Sequence, residues 1–315
     1  MGIKRYIVSL LFVVGGCVAQ TDSLGNDYIQ KFPDKISVQA FLLNTSNEFT
    51  INYEQENIRV GLVPNQKTTL NIGVQYDIVS FSFGYAPKFF ANNNDNGDSK
   101  MTAFSVTLFP GRFMQRLEFY YQKGISMESD NVQLIYFPEL STMKIGGSTT
   151  YIFNDNFSFG ALSFQNERQL KSVGSFVPSL SYYYTELNGK RVEELGDKGY
   201  FIDVALSPGY NYNWVIAKKF LVAGGLSLGA GFSKTVDEGE NFTSFLTQAS
   251  LSISLGYNSE TFYGGVYSKG TASNHKADSN AAMDDVISYV TAFFGYRFDA
   301  PSFLQKEKER IKSKL

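Results

Sequence analysis

The nine residues Ala249-Ser250-Leu251-Ser252-Ile253-Ser254-Leu255-Gly256-Tyr257 alternate apolar and small side chains without a break. Successive side chains of a β-strand point to opposite faces, so this order puts the apolar side chains on one face and the serines on the other. A helix would spread the serines around its whole surface. The segment therefore predicts a two-sided strand and excludes a helix.

The same alternation recurs along the chain, for example in 70–77 and 226–232. Segments of about ten residues are separated by clusters of Gly, Asn, Asp and Ser, a spacing typical of a β-sandwich or a β-barrel. Residues 241–259 contain no charged side chain, yet their alternating Ser, Thr and Gln exclude a transmembrane helix. The sequence therefore predicts an all-β fold.

Composition indicates which medium surrounds these strands. Only 18% of the residues are charged, and the polar strand positions carry mostly Ser, Gly, Thr, Asn and Gln rather than the Lys and Glu of a water-facing surface. Aromatic clusters such as Phe119-Tyr120-Tyr121 and Tyr182-Tyr183-Tyr184 are typical of the girdles of a membrane barrel. We therefore expect a closed antiparallel transmembrane β-barrel with short periplasmic turns and longer outer loops. A secreted soluble β-fold with an apolar interior is the alternative.

The predicted barrel has about fourteen strands, with twelve as the next choice. The pattern gives about fifteen strand-like segments, whereas bacterial single-chain barrels have an even number. Counting back from the C-terminus, long outer loops are expected at 234–243 and 271–283, but the alternation of short turns and long loops fails between residues 125 and 176. There we expect Gln165–Ser175 to fold into the lumen or to divide differently, and the short piece 57–63 is a doubtful separate strand.

Residues 1–19 have the order of a bacterial secretory signal peptide. Lys4 and Arg5 precede an apolar run, and small residues up to Ala19 follow it. Simple cleavage after Ala19 is favoured, while Cys17 leaves a lipoprotein processing site open. The predicted domains are a signal peptide at 1–19, an N-terminal periplasmic segment at 20–34, the β-barrel at 35–298 and a charged C-terminal tail at 299–315.

The composition also excludes several classes of site. The chain has one His and one Cys, and that Cys lies in the leader, so a mature protein has neither thiolate sites nor multi-His metal sites. Loss of Lys4 and Arg5 lowers the 28 basic residues to 26 against 30 acidic ones, a net charge of −4. The basic stripe that nucleic acid requires is missing before the C-terminal tail. We expect no nucleic-acid partner, no cofactor and no catalytic or metal-binding residues.

Two partners are expected from the predicted location. The last strand, Val290–Phe298, ends in an aromatic residue, as do the terminal strands that the outer-membrane assembly machinery recognises. That machinery and outer-membrane lipid are the predicted partners, and the ligand is left open. The tail after this strand is predicted to be helical or disordered, and either solvated or in contact with headgroups or a partner.

Arg168 and Lys171 are the charges that the strand pattern explains least. Both lie in the stretch where the alternation fails, so they are candidate lumen-facing charges. In a lumen they would pair with Glu167 or bind an anionic solute. The alternative is a loop position in water.

Two further motifs favour exposed loops. The single histidine, His275, lies in the polar stretch 271–279, which predicts an outer loop. Ser273 and Asp278 are close in sequence, but no Gly-x-Ser-x-Gly turn accompanies them, so hydrolysis is a minor alternative. The run Asn92–Asp98 offers the oxygen ligands of a calcium loop but lacks its closing Glu, which favours a hydrophilic outer loop.

Several short stretches resemble a family of uncharacterised bacterial domains whose members look like outer-membrane β-barrels. They are Phe32-Pro33-Asp34-Lys35, Pro64-Asn65 before Leu70-Asn71-Ile72-Gly73, Arg168 to Phe176, and Pro208-Gly209-Tyr210-x-Tyr212-Asn213. The resemblance covers residues 30–298. It implies an outer-membrane location and brings no activity or site residues with it.

The expected function is that of an integral outer-membrane barrel in a Gram-negative bacterium. A channel or transporter for a small or elongated solute is favoured, since a barrel of this size lies between small filled barrels and wide porins. A structural or anchoring barrel without conductance is the second choice. An outer-membrane hydrolase and a soluble lipocalin-like binder are the remaining alternatives, and we do not expect an enzyme.

Overall fold

The computed structural model describes residues 27–53, 55–64, 67–90, 93, 99–129, 132–163, 166–189, 198–237, 240–277 and 280–312. The predicted signal peptide and the possible lipidation site at Cys17 lie outside these residues. The strands are β1 Ile29–Lys31, β2 Lys35–Tyr53, β3 Ile58–Pro64, β4 Lys67–Tyr76, β5 Val79–Tyr85, β6 Lys100–Leu108, β7 Phe113–Ser129, β8 Val132–Tyr151, β9 Glu167–Gln169, β10 Val173–Phe176, β11 Ser179–Asn188, β12 Lys198–Ser207, β13 Gly209–Ile216, β14 Phe220–Asp237, β15 Glu240–Asn258, β16 Phe262–Lys276 and β17 Ala281–Asp299.

Fifteen of these strands form one antiparallel sheet that closes on itself, and β1 pairs with β9 separately. Closure occurs at β14, which pairs with β12 and β13 on one edge and with β15 on the other. Three pairs of consecutive segments, β3 with β4, β10 with β11 and β12 with β13, each occupy a single position in the wall. The ring formed by the described residues therefore has twelve strands. The prediction of a barrel is confirmed. The strand count is twelve, which was the second choice after fourteen.

Proline causes two of these interruptions. Pro178 separates β10 from β11, and Pro208 separates β12 from β13. Proline has no N–H to give to the strand ladder, so pairing breaks locally while the wall continues. The sequence-based count of fourteen was too high for other reasons: β2 is one continuous strand, β3 and β4 share one wall position, and Gly160–Leu162 form a 3₁₀ turn rather than part of a wall strand.

The barrel narrows towards the end where its longest strands project. The hairpin of β5 and β6 is short, and beyond it β7 leaves β6 and pairs directly with β3. Twelve wall positions thereby fall to ten. Gly124 lies at this branch point with a φ of 86°, and a Cβ built there would lie 2.8 Å from the Cβ of Ser99. Only glycine fits both the left-handed backbone and the close approach.

The two faces of the wall meet different environments. Ile253 is 54% exposed on the outside, whereas Ser254 is 1% exposed on the inside. The serine face of β15 therefore points into the lumen. Outward apolar side chains are exposed around the ring, at Leu42, Ile72, Phe83, Leu117, Ile145, Leu180, Leu206, Leu226, Leu255, Val266 and Phe294. This belt is the surface that hydrocarbon would cover, because every backbone group in a closed ring is paired within the sheet.

Two predicted outer loops are wrong. Residues 234–237 and 240–243 continue β14 and β15, and 271–276 continue β16, so the described loops at this end are short. Above the belt, water meets the outer face, as the exposed side chains of Asn274 and Lys276 illustrate. Strands that are polar outside and mixed inside lose their hydrophobic alternation, and they resemble loops in sequence.

The C-terminal tail begins at the same end of the barrel as the N-terminal segment. Helix α1, Ser302–Lys312, follows β17, and Lys308 donates from Nζ to the carbonyl oxygen of Pro33 at 2.9 Å. Lys308 is buried by this contact. The part of the chain that the structure describes holds no helix long and apolar enough to cross a membrane.

Candidate functional site: a closed chamber inside the barrel

The segment between β8 and β10 folds back into the barrel. Its 3₁₀ turn, Gly160–Leu162, is fully buried. Ala161 and Leu162 pack against inward side chains of several walls: Leu221, Ala223, Tyr263 and Phe293, with Phe41 and Val215 at the edge. This apolar cluster, here called the lower seal, fills the end of the lumen nearest the chain termini. The strand-like sequence at 156–163 is therefore not a wall strand, because its apolar residues are buried in the lumen.

Hydrogen bonds fix the inward segment to three walls. Ser254 donates to the carbonyl oxygen of Leu162 at 3.1 Å, and Asn213 donates to that of Ser158 at 2.9 Å. Ser37 donates to the side-chain oxygen of Asn166. These hydrogen bonds add to the apolar packing of the lower seal, so the segment has a defined position rather than a loose one.

The N-terminal segment reinforces this closure. Strand β1 pairs with β9 over three residues, and Lys31 forms an ion pair with Glu167 at 3.9 Å. The peptide N–H of Phe32 donates to the carbonyl oxygen of Asn166 at 2.9 Å. The chain thus passes over the lower seal before it enters the wall at Lys35.

A second apolar cluster fills the narrow end of the barrel. Its buried members come from β2, β3, β7, β8 and β17, and β11 and β12 add partly buried ones. They are Phe49, Leu62, Ile125, Leu140 and Met283, with Phe137, Leu187 and Phe201 packed against them. A ring of ten strands is narrow enough for side chains to fill it, as they fill the smallest barrels. This cluster is called the upper seal.

A polar chamber lies between the two seals. It has two lobes, which leave about 180 and 190 Å³ for the centres of water molecules. Phe159 and Leu162 of the inward segment line its floor. Asp285 lines the other end, two residues from Met283 on the same face of β17. The side chains that both lobes share are Met114, Arg116, Tyr120, Phe159, Tyr267 and Tyr289.

An ion pair surrounded by tyrosines lies where the lobes meet. Arg116 Nε is 2.8 Å from Glu118 Oε1. Tyr120 donates its hydroxyl to the same oxygen at 2.9 Å, and Tyr183 donates to Oε2 at 2.8 Å. The carboxylate is therefore satisfied on both oxygens, while the rest of the Arg116 guanidinium borders both lobes. Such a group recognises anions or hydroxyls.

Two more cations and two more anions line the same chamber. Lys144 Nζ is 3.0 Å from Asp285 Oδ2 in a buried ion pair, and it lies 5.1 Å from the centroid of the Tyr183 ring. Lys269 and Asp203 also line the chamber. Among the described residues neither is in an ion pair, and Asp203 Oδ1 is buried without a hydrogen bond.

The two charges singled out in the sequence belong to the closure and do not line the chamber. Arg168, half-buried on β9, donates to the side-chain oxygen of Gln30 and to the carbonyl oxygen of Asn258, the latter at 3.4 Å. Lys171 is exposed and lies 3.4 Å from Asp27. Neither is paired with Glu167, which binds Lys31 and Ser158. Val173–Phe176 is a wall strand, and Gln165 lies outside the described residues.

The prediction that His275 is exposed in an outer loop is wrong. His275 lies on β16, points inward and is 3% exposed. Its ring packs against Phe201 of the upper seal, with 5.8 Å between the ring centroids. Its outward neighbours are polar, so it lies above the apolar belt. Burial lowers the pKa of His275, although Asp203 and Asp285 act in the opposite direction.

Asn93 is the described member of the run 92–98, which was considered as a calcium loop. It is buried, and its side chain exchanges hydrogen bonds with the backbone of Thr68 at 2.9 and 2.8 Å. Lys67, buried in the wall, donates to its carbonyl oxygen at 3.0 Å. Asn93 therefore holds its loop against β4, and the other residues of the run lie outside the described part of the chain. No three His, Cys, Asp or Glu side chains of the described residues are grouped as a metal ion would require.

The sequence analysis missed the chamber charges although a signal was present. Arg116, Glu118 and Tyr120 alternate within a predicted strand. Charged side chains on a membrane-spanning strand must face the lumen, because lipid excludes them. This periodicity places all three side chains inside. The partners on other strands, such as Tyr183, have no such signal.

The fold and the chamber define a class: a β-barrel with an apolar outer belt and a lumen closed at both ends. The family model described as a domain of unknown function (DUF4421) matches residues 20–298. The chain belongs to this family, which confirms the resemblance found in the sequence. A comparison with curated proteins found no match.

Solved structures with a similar arrangement are outer-membrane or related barrels. The translocator domain of the autotransporter NalP from Neisseria meningitidis has a TM-score of 0.38 at 12% identity, over 94% of this chain and 96% of that one. OmpT, an outer membrane protein of Vibrio cholerae, has a TM-score of 0.35 at 9% identity, over 88% and 100%. The toluene transporter TodX of Pseudomonas putida has a TM-score of 0.29 at 9% identity, over 85% and 90%.

Proposed function

We propose that this protein is an outer-membrane barrel of a Gram-negative bacterium that transports a small polar solute through a lumen that opens only transiently. The observation that carries the proposal is the polar chamber between two apolar seals. A passive pore needs a continuous water path, and Leu162 and Met283 lie in clusters that interrupt it at both ends. A barrel with only a mechanical role has no need of a charged chamber.

The lower seal is the gate that this proposal favours. It is formed by an inserted segment rather than by the wall, so it can move without breaking the ring. Besides the apolar packing of Ala161 and Leu162, single hydrogen bonds hold it to the wall, such as that from Ser254 to Leu162, and each contributes about 1 kcal/mol. A segment held in this way leaves the lumen at a far smaller cost than a wall strand would.

A disulfide lock tests this gate. Ser37 on β2 and Asn166 on the inward segment are joined by a side-chain hydrogen bond, and the sole Cys of the chain precedes the predicted cleavage site. The pair Ser37→Cys and Asn166→Cys would therefore supply the only thiols of the processed protein. Liposomes that contain the reduced variant should swell in small polar solutes such as glycine, trialanine or glucose, and oxidation should slow swelling to the protein-free rate.

The single variants Ser37→Cys and Asn166→Cys are the matched controls, and oxidation should leave their swelling unchanged. Equal swelling of the oxidised and reduced double variant would show that solutes bypass the inward segment. If the wild-type barrel admits none of the three solutes, the transport proposal fails.

A structural barrel is the second candidate, and the two seals are the observation that favours it. It predicts no solute entry and no solute binding in any state of the wild-type protein.

We propose no catalytic role. Ser273, the serine near His275, donates its hydroxyl to the carbonyl oxygen of Asp285 at 3.4 Å, and neither ring nitrogen of His275 has a hydrogen-bond partner among the described residues. A serine nucleophile requires a base within hydrogen-bond reach. Asp278 lies outside the described residues.

A further inference from the structure

Among the described residues, two opposite charges in the chamber have neither a hydrogen bond nor an ion pair. Asp203 projects from β12 and Lys269 from β16, and both line the lobe of the chamber that Glu118 and Lys144 also line. The other four chamber charges form two ion pairs, Arg116 with Glu118 and Lys144 with Asp285. Within the described residues, Lys269 makes no hydrogen bond and Asp203 accepts none.

A buried charge without a partner lowers the stability of the folded barrel. Asp203 Oδ1 is shielded from solvent and lacks a donor, and a buried carboxylate oxygen without a donor is destabilising. His275 interacts with Asp203 electrostatically, but burial lowers the pKa of His275 and so disfavours the cationic form that would balance the charge. A ligand cation beside Asp203 would balance this negative charge.

The side chains of Tyr183 and Glu118 lie between the two charges. Asp203 is directly opposite Tyr183 in the pairing of β11 with β12. The Tyr183 hydroxyl reaches Glu118 at 2.8 Å, and Lys269 interacts electrostatically with Glu118. Asp203 therefore lies at the backbone end of Tyr183 and Lys269 beyond its hydroxyl end. An α-amino acid, whose charges are one carbon apart, is too short to reach both.

We propose that the chamber binds an elongated zwitterion, a short peptide with free termini, with its ammonium at Asp203 and its carboxylate at Lys269. The inference rests on the transport function proposed above and names its substrate class. Arg116 lies beside the carboxylate end as a second donor. Tyr267 and Tyr289, whose ring centroids are 5.8 Å apart, supply aromatic surface for the body of the peptide. A neutral sugar would leave both charges unmet.

Isothermal titration of the purified full-length barrel in detergent tests the substrate class with four forms of one probe. They are trialanine, its N-acetyl form, its C-terminal amide, and the form blocked at both ends. Trialanine should bind, and blocking either terminus should weaken binding about tenfold or more, because each block removes one charge-assisted contact. Equal affinity for all four forms would overturn the inference.

Two variants, each of which removes one chamber charge, test which terminus of the peptide binds at Asp203 and which at Lys269. In Lys269→Met the C-terminal amide should bind as well as trialanine does, while acetylation should still weaken binding. In Asp203→Asn the pattern should reverse. Lys276→Met and Asp299→Asn, which remove exposed charges outside the chamber, should retain the wild-type pattern. A uniform loss of affinity for all forms in both variants would indicate a structural role and overturn the assignment.

Glucose separates this inference from the transport proposal. If glucose enters liposomes through the wild-type barrel and trialanine neither enters nor binds, the zwitterion inference fails while solute transport stands. If neither solute enters and neither binds, both fail.

Discussion

The guanidinium carbon of Arg297 lies 4.2 Å from the centroid of the Phe32 ring, so the last strand of the barrel is tied to the segment that precedes the first. A second ring, that of Tyr263, lies 4.6 Å from the same carbon. Arg297 is 1% exposed, and it donates to the carbonyl oxygen of Ser259 and to the side-chain oxygen of Asn258. Arg297 therefore connects β17 with the N-terminal segment at Phe32, with β16 at Tyr263 and with the turn at 258–259.

Arg297→Met is therefore expected to destabilise the barrel by about 2–4 kcal/mol, because it leaves buried acceptors unmet and removes a desolvated cation–π contact. The midpoint of denaturant unfolding in detergent, followed by circular dichroism, measures the change. Arg112→Met, at the exposed ion pair with Asp155, is the matched control and should have little effect. Equal midpoints for the two variants would contradict the role assigned to Arg297.

The opposite faces of β15 should respond differently to a new charge. Ile253→Arg places a cation in the apolar belt and should cost roughly 2–4 kcal/mol. Ser252→Arg places the same side chain in the chamber, where it should be tolerated and narrow the lumen. Folded yield after refolding into lipid vesicles compares the two. Greater damage from the serine substitution would mean that the faces are inverted.

Gly124→Ala should destabilise the barrel by about 1–3 kcal/mol, because alanine resists the positive φ and its Cβ would press on Ser99. Gly270→Ala on β16 is the control, since a Cβ there has no atom within 4 Å. Thermal unfolding of both variants gives the comparison. If Gly270→Ala is as destabilising as Gly124→Ala, the branch-point argument is wrong.

The buried pair of Lys144 and Asp285 should show strong coupling. Lys144→Met alone leaves a buried carboxylate unpaired and should cost roughly 3–5 kcal/mol, whereas adding Asp285→Leu should restore much of the loss. A double-mutant cycle on unfolding free energies measures the coupling. Additive losses would show that the two side chains do not depend on each other.

Stability should depend on pH through His275. Burial lowers the pKa of His275 from its ordinary 6.5, so the unfolded chain binds a proton that the folded chain does not. Its contribution to stability is complete above about pH 6.5 and is lost as the pH falls below that value, by up to about 1.4 kcal/mol per pH unit, until the folded-state pKa is passed.

Unfolding free energies between pH 5.5 and 7.5 measure this slope. The chain has one histidine, so His275→Gln should abolish the slope in this window. A variant that keeps the wild-type slope would assign it to another group.

Where a strand has hydrocarbon on one face and the lumen on the other, the sequence predicts which side chains point inward. The serines of β15 fall inside because hydrocarbon excludes hydroxyl groups, and this holds whatever the neighbouring strands are. The same argument, applied to Arg116 and Glu118, would have placed the central ion pair. It could not have found Tyr183 as the partner of Glu118, since strand order and register decide that contact.

Residues above the belt could not be placed in the same way. His275 lies on a strand that is polar outside, so its sequence is similar to that of a loop. Its burial depends on Phe201 and the other members of the upper seal, which come from distant strands. Local sequence does not encode how close those strands are, because the barrel narrows only where β7 joins β3.

The sequence by itself determined that this protein is built from two-sided β-strands, because alternation of side chains is a local property of each strand, and its low charge and aromatic clusters favoured the barrel with an apolar outer face. Only the tertiary structure decided that the lumen is closed and where its charges meet. The inward segment at Leu162, the count of twelve strands and the chamber positions of Asp203 and Lys269 depend on contacts between residues far apart in the chain. Closing the ring sets those contacts, since each strand's position follows from all the others.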